Sequence, residues 1–352
     1  MAVTRKPRKR GAKTTIFDVA HQAGVAISTV SLALRGDPLV TSRTRAAVLA
    51  AAKLLHYQPN VAAQSLARRQ TNLIAVCGHF FAETLQFNSY SASQLLMGIL
   101  ARLKGTRYAI YMMNWSTKPG EHLRLLTEIS NQRFVCGSIW LTPHLGREDQ
   151  KLAHHSLPVA LAEAVLPDID SVTVDNVLGG YLGAKHLLRA QRRPRELVLV
   201  TGAPTSPEQK ERLKGVQKAV SELGHSWSRV RRYRADSYGF LEGERLAAEL
   251  APKFSRSKAA ISIFCLAGDW CAQGILRGLK KAGIQVPAQV AVLGYDGMLN
   301  GNFSNPPLST IEQPLSELGF AIAGALLERI ENPKTPVKQL RLQPKLVLRE
   351  SA

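Results

Sequence analysis

Thr15 to Leu66 reads TIFDVAHQAGVAISTVSLALRGDPLVTSRTRAAVLAAAKLLHYQPNVAAQSL, and the rest of the chain is understood from it. Thr15-x-x-Asp18 has the form of a capping box with Asp in place of Glu, which predicts a helix start. Val19, Ala20 and Ala23 recur at helical spacing as an inward stripe. Gly24 ends that helix and Val25 plugs the turn. A second helix is predicted from about Ile27 to Arg35, stopped by Gly36-Asp37-Pro38. Thr41 caps a third, from Ser42 to about His56, with Val48, Ala51, Ala52 and Leu55 inward. Two helices joined by a Gly-containing turn form a helix-turn-helix. Spacing puts Val30, Ala33 and Leu34 on one side of the second helix. Ile27, Ser28, Ser31 and Leu32 fall on the other, the side that would enter a DNA major groove. An ordinary three-helix bundle would leave Ile27 and Leu32 exposed with no acid to solvate that face.

Charge supports a polyanionic partner. The chain has 352 residues, with 46 Lys and Arg against 26 Asp and Glu, for a net charge of +20. The excess is uneven: residues 1–72 hold twelve basic residues and two acids, Asp18 and Asp37. Such an imbalance is the electrostatic footprint of nucleic-acid binding. Residues 1–14, with Arg5-Lys6-Pro7-Arg8-Lys9-Arg10, read as a disordered basic arm that adds phosphate affinity. Thr44 and Arg45 open the third helix, where amides, a hydroxyl and a guanidinium suit a phosphate. Thr15, Thr29 and Tyr57 are further phosphate candidates.

After the helix-turn-helix domain, expected over residues 15–58, residues 59–71 read as a hinge helix. Pro59 restricts the chain before it and Asn60 is a good N-cap. Val61 to Arg69 is helical in pattern but shorter than the roughly 12–15 residues an isolated helix needs. Something else must stabilise it. Ala62, Ala63 and Ala67 make a thin face, and Leu66 is its one large apolar residue.

Residues 72–352 alternate apolar runs with helical patterns. The runs are Leu73–Gly78, Tyr108–Met113, Val135–Leu141, Pro158–Ala162, Glu196–Gly202, Ala260–Leu266 and Gln289–Gly294. Helical patterns follow at Leu95–Leu103, Leu178–Arg189, Glu211–Leu223 and Trp270–Ala282. This alternation predicts doubly wound parallel sheets, and the length favours two lobes over one sheet.

DVAHQAGVAISTVSLALRG, TRAAVLAAAKLLHYQPN and AQSL resemble the headpiece of the lactose-repressor (LacI/GalR) family. The resemblance continues in Val174-Asp175-Asn176, Gly179-Gly180, His186-Leu187-Leu188, Leu293-Gly294-Tyr295-Asp296 and Pro307-Leu308-Ser309-Thr310-Ile311-Glu312-Gln313-Pro314. It implies an all-α headpiece plus hinge helix on an α/β core of two periplasmic-binding-protein-like lobes. The first lobe is expected at about 72–174 and 297–322, the second at about 175–296 and 323–352. The resemblance also implies a dimer on a near-palindromic DNA operator, with Ala63 and Leu66 at the minor groove and Leu66 as an intercalating wedge. It implies a small polar effector, a sugar or related metabolite, in the cleft between lobes. Arg212 matches the family's effector-binding Arg-x-x-Gly, Asp269 its Asn-Asp pair, Asp296 its Gly-Tyr-Asp carboxylate, and Tyr238 its aromatic platform.

Some positions depart from the family. Ala26 replaces the Ser that usually caps the recognition helix, a loss of about 1 kcal/mol. Ile27 and Leu32 replace polar or basic readers, so bidentate recognition of guanine or adenine is lost. Thymine methyls and hydroxyl contacts remain, which implies T-rich half-sites. In the first lobe His79, Tyr90 and Glu163 stand where the family has other ligand contacts.

A solute-binding protein of the same core fold, and a DNA-binding regulator without an effector, are the alternatives. No Ser elbow, P-loop, GxGxxG or metal-spaced His/Cys set marks an enzyme. No catalytic residue, cofactor, metal or membrane association is expected. Cys77, Cys136, Cys265 and Cys271 show no CxxC pairing, as in a reduced cytoplasmic protein.

Overall fold

The computed structural model describes residues 14–34, 36–57, 71–78, 89–114, 121–131, 134–142, 145–153, 157–189, 195–255 and 259–352. The chain separates into two compact units, residues 1–71 and 72–352.

In the first unit α1 spans Ile16–Ala23, α2 Ile27–Leu34 and α3 Ser42–Leu54. The Thr15 backbone N–H donates to Asp18 Oδ2 at 2.8 Å, as a capping box requires. Gly24, at φ +64°, turns the chain out of α1 while the Val25 N–H closes on the Ala20 carbonyl at 3.1 Å. The two helices meet at 99°, within the helix-turn-helix range. Thr41 Oγ1 accepts from the Thr44 N–H at 3.2 Å and caps α3. Val19, Val30 and Val48 are fully buried at the centre, with Ala20, Ala33, Val40, Ala51 and Ala52 around them. No single described helix is long and apolar enough to cross a membrane.

The second unit holds two six-stranded sheets. The first comprises β1 Leu73–Gly78, β2 Ala109–Asn114, β3 Gly137–Leu141, β4 Val159–Ala162, β5 Asp170–Val174 and β11 Gln339–Leu342, in the order β11-β5-β4-β3-β1-β2. The second comprises β6 Arg195–Thr201, β7 Arg231–Arg234, β8 Ala260–Cys265, β9 Val290–Asp296, β10 Ser309–Glu312 and β12 Lys345–Val347, in the order β12-β10-β9-β8-β6-β7. All pairings are parallel except that of β12 with β10. Helices α4 Ser89–Leu103, α5 Glu121–Asn131, α6 Arg147–Ala153 and α11 Leu315–Glu331 belong to the first lobe. Helices α7 Asn176–Arg189, α8 Pro207–Glu222, α9 Phe240–Ser255 and α10 Asp269–Lys281 belong to the second. In each lobe the strand order reverses beside the first strand, β1 or β6, and ligands of such sheets bind beyond the carboxyl ends there.

The expected lobe boundaries are corrected by strand pairing. The chain crosses between lobes after β5, between β10 and α11, and between β11 and β12. The second crossing was expected near 296, but β10 pairs parallel with β9 and so stays in the second lobe. The third was expected near 322, but α11 packs whole on the first lobe, and β11 pairs with β5. Asp170 anchors that return. Its carboxylate accepts from Arg329 Nε at 2.9 Å and Nη2 at 3.0 Å, and from the Lys338 N–H at 2.8 Å.

Candidate functional site

Helix α2 turns Ile27 and Ser28 to solvent and leaves Thr29 and Ser31 partly accessible. Leu32 departs from the expected face. It is partly buried against the headpiece core, because the chain after α2 folds back and the Asp37 N–H donates to the Leu32 carbonyl at 3.1 Å. The readable face is therefore narrower than helical spacing alone implies. Ile27 is its apolar member, 39% exposed.

The phosphate candidates are engaged within the headpiece to different degrees. Thr15 Oγ1 donates to Asp18 Oδ2 at 2.8 Å. Thr44 Oγ1 lies 2.9 Å from Thr41 Oγ1 at the start of α3. Arg45 Nη2 donates to the Asp37 carbonyl at 2.6 Å, so its guanidinium braces the loop before α3. Tyr57 is partly buried against the core. Arg43, which sequence reasoning passed over, is exposed on the first turn of α3. Ala63 and Leu66, with hinge residues 59–70, lie outside the described residues, as does His79.

A cavity of about 390 Å³ opens in the second unit. First-lobe residues Glu163, Ala164, Thr173 and Arg341 line it, as do second-lobe residues Asn176, Glu208, Glu211 and Arg212, and Gln313 at the second crossing. Arg212 is positioned by close helix packing. A Cβ on Gly180 would lie 2.0 Å from the Arg212 carbonyl oxygen, so only Gly lets α7 and α8 approach. The Arg212 guanidinium stacks 3.7 Å from the Tyr295 ring centroid. Its Nη1 donates to the Leu266 carbonyl at 2.7 Å, its Nε to Asn176 Oδ1 at 3.0 Å, and its Nη2 is 3.9 Å from Asp296 Oδ1. Asp296 also accepts from Gln313 Nε2 at 2.8 Å. Burial outweighs Arg212 and pushes the Asp296 carboxyl up to about 6.

Glu163 sits at the end of β4 with φ +72°. Burial, and then the charge of Glu208, push its carboxyl up to about 7, against the opposing pull of Arg212. Across the cavity wall Arg341 Nη2 faces Glu211 Oε1 at 3.5 Å, joining β11 of one lobe to α8 of the other.

Of the described effector candidates only Glu163 and Arg212 line this cavity; Asp296 stands behind Arg212, and Asp269, Tyr238 and Tyr90 are engaged elsewhere. Asp269 is fully buried, accepting from the Met298 N–H at 2.7 Å and from Thr310 Oγ1 at 2.7 Å. It shapes the loop after β9. Gly268 beside it has φ +118°, and a Cβ there would lie 2.6 Å from Asp296 Oδ2. Gly thus stands where the family pattern has Asn, in a left-handed backbone conformation close against Asp296. Tyr238 packs over Gly202, and its hydroxyl accepts from the Ala203 N–H at 3.2 Å. Tyr90 donates from its hydroxyl to the Gly297 carbonyl at 3.0 Å, a bond from the first lobe to the second. Glu208, Glu211 and Arg341 were not singled out from the sequence. Arg341 lies in the C-terminal return strand, over a hundred residues from the helices it faces, so no spacing could expose it.

A helix-turn-helix headpiece on one chain with a two-lobed α/β domain and a cavity between the lobes defines a ligand-responsive DNA-binding protein. Residues 15–60 match the bacterial regulatory proteins of the lacI family, and residues 184–352 match the periplasmic binding protein-like domain. The ribose operon repressor of Haemophilus influenzae is 28% identical over 348 residues, covering 96% of this chain and 98% of that protein. The repressor PurR of Escherichia coli is 28% identical over 354 residues, covering 96% of each chain. A crystal structure of the Lac repressor dimer bound to operator and the anti-inducer ONPF superposes with a TM-score of 0.78 at 25% identity, covering 97% of this chain and 99% of that one. One chain thus joins a lacI-family helix-turn-helix domain to a periplasmic-binding-protein-like domain, as in these repressors.

Proposed function

We propose that this protein is a cytoplasmic transcriptional repressor, not an enzyme, that binds double-stranded operator DNA as a homodimer. A small polar ligand, a sugar or related metabolite, controls it from the cavity between the lobes. The observation that carries this reading is the joining of a helix-turn-helix, with Ile27 and Ser28 outward, to a two-lobed domain with a cavity between its lobes. Two recognition helices would enter successive major grooves, with Ile27 and Ser28 at base edges and Ser31 beside them. Thr29, Thr44, Arg45 and Tyr57 would hold the backbone. Leu66 would enter the minor groove at the operator centre and kink it.

Dimerisation has available apolar surface. The helix residues Leu95, Ile99, Ile275, Leu276 and Leu279 are buried in the chain's own core. Helix α4 instead exposes Met97 and Leu100, and the edge strand β2 exposes Tyr111 and Met112. Ligand binding and DNA binding would be coupled through lobe closure, and each must change the other's affinity by the same factor.

Footprinting on DNA upstream of candidate target genes tests the reading. Two protected half-sites about one helical turn apart are expected, with enhanced cleavage at their centre. Protection of one half-site without central distortion would overturn the dimer and the wedge together.

A further inference from the structure

The charged groups around the cavity are unequally paired. Arg341 and Glu211 face each other at 3.5 Å. Arg212 is committed to the Leu266 carbonyl, Asn176 and Asp296. Glu163 and Glu208 remain. The Glu163 side chain has no hydrogen-bond or ion-pair partner among the described residues. Glu208 Oε1 accepts from the Ser206 hydroxyl, while its Oε2 is buried without a partner. Both line the same cavity, and the charge of Glu208 acts on Glu163. Buried acceptors left unsatisfied are costly, and two like charges in one cavity more so.

We propose that the ligand of this cavity carries a cationic nitrogen, as in an aminated sugar or a small diamine, which it places between Glu163 and Glu208. The proposal rests on the cavity being the effector site and specifies the class of effector. An ammonium group supplies three donors and one positive charge, which satisfies the orphaned Glu208 oxygen and relieves the repulsion. An anionic ligand would meet two unpaired carboxylates, and the guanidinium groups present are already engaged. A neutral polyol supplies donors but leaves the charge uncompensated.

A proton and the ammonium group compete for Glu163. Its carboxyl, facing Glu208, Arg212 and Asp296, titrates near 7, so ligand binding ionises it and releases a proton around neutral pH. Affinity for a cation therefore rises as pH increases through 7, until the amine itself deprotonates.

Isothermal titration of the full chain with matched pairs tests this: glucosamine against glucose, and 1,4-diaminobutane against 1,4-butanediol. Titrations at pH 6 and pH 8, in buffers of different ionisation enthalpy, report proton release. The amine of at least one pair is expected to bind tenfold or more tightly than its neutral partner; 1,4-diaminobutane, which stays cationic, should bind more tightly at pH 8, whereas glucosamine loses its charge there. Glu163→Gln and Glu208→Gln should each weaken amine binding roughly tenfold or more. Melting temperatures of the free variants, expected to equal or exceed that of the parent, separate lost binding from lost folding. A neutral member, or another neutral or anionic metabolite, that binds with no pH dependence and is unmoved by either variant overturns the cationic class and leaves the effector reading standing. If no member of either pair and nothing in a metabolite panel binds, the effector reading itself falls.

Discussion

The Tyr90 hydroxyl donates to the Gly297 carbonyl at 3.0 Å, tying α4 of the first lobe to the loop after β9 of the second. Tyr90 stands where the resemblance implied a ligand contact, and in this conformation the chain itself uses it. Asp269 holds the same loop from beneath through the Met298 N–H. A ligand that alters this loop would therefore act on a contact between lobes. Tyr90→Phe removes one hydrogen bond, worth about 1 kcal/mol net. Faster amide exchange at residues 297–304 is expected, with the headpiece unaffected. Unchanged exchange there would show that the bond does not hold the lobes.

Arg329 and Asp170 form a buried pair, with side chains 17% and 2% exposed. Arg329→Met leaves the Asp170 carboxylate without its guanidinium and should destabilise the core by about 3–5 kcal/mol. Adding Asp170→Asn should recover part of that loss. Urea denaturation of the single and double variants measures both, and a single-variant loss under about 1 kcal/mol would contradict the pairing.

Stability should depend on pH through Glu163. Its folded value near 7 exceeds its ordinary value of 4.5, so the folded state holds the proton more tightly. The group's contribution is fully present below pH 4.5 and is lost as pH rises to about 7. Glu163→Gln does not titrate. Its stability relative to the parent should therefore rise between pH 4.5 and pH 8, by up to about 3 kcal/mol. Urea denaturation across that range checks the sign, and a difference that falls with pH would contradict the buried, repelled carboxylate.

Ile27 is a surface residue of the free headpiece, so Ile27→Ala should change its stability little. Operator affinity should fall by on the order of 1 kcal/mol from lost apolar contact, with the salt dependence unchanged. Arg43→Ala should do the reverse, weakening binding to all sequences and flattening the salt slope. Fluorescence anisotropy at several salt concentrations distinguishes the two.

The headpiece was legible in the sequence because its signals are local. The Thr15–Asp18 box, the left-handed Gly24 and the Val19, Val30 and Val48 stripe each lie within a turn or two of the element they specify. Leu32 was misplaced because its burial depends on the chain folding back at Asp37, which helical spacing does not encode. Seven core strands, β1 to β4, β6, β8 and β9, were legible as apolar runs. The strands β5, β7, β10, β11 and β12 were missed: none is a fully buried apolar run, and β11 and β12 are defined by partners distant in sequence. The same holds for the cavity. Arg212 was recognisable from its motif, but Glu208, Glu211 and Arg341 join it only when two lobes and a returning strand meet. Asp269 matched the family pattern, yet its oxygens are satisfied by Thr310 and Met298, which spacing could not reveal.

Selection of DNA from a random-sequence pool by the full chain tests the central claim most directly. Enrichment of a near-palindrome with thymine-rich half-sites and a flexible pyrimidine–purine step at its centre is the predicted result. Recovery of no sequence above the random background would contradict a sequence-specific regulator. A selected site with guanine at the positions facing Ile27 and Ser28 would contradict the apolar reading of the recognition helix.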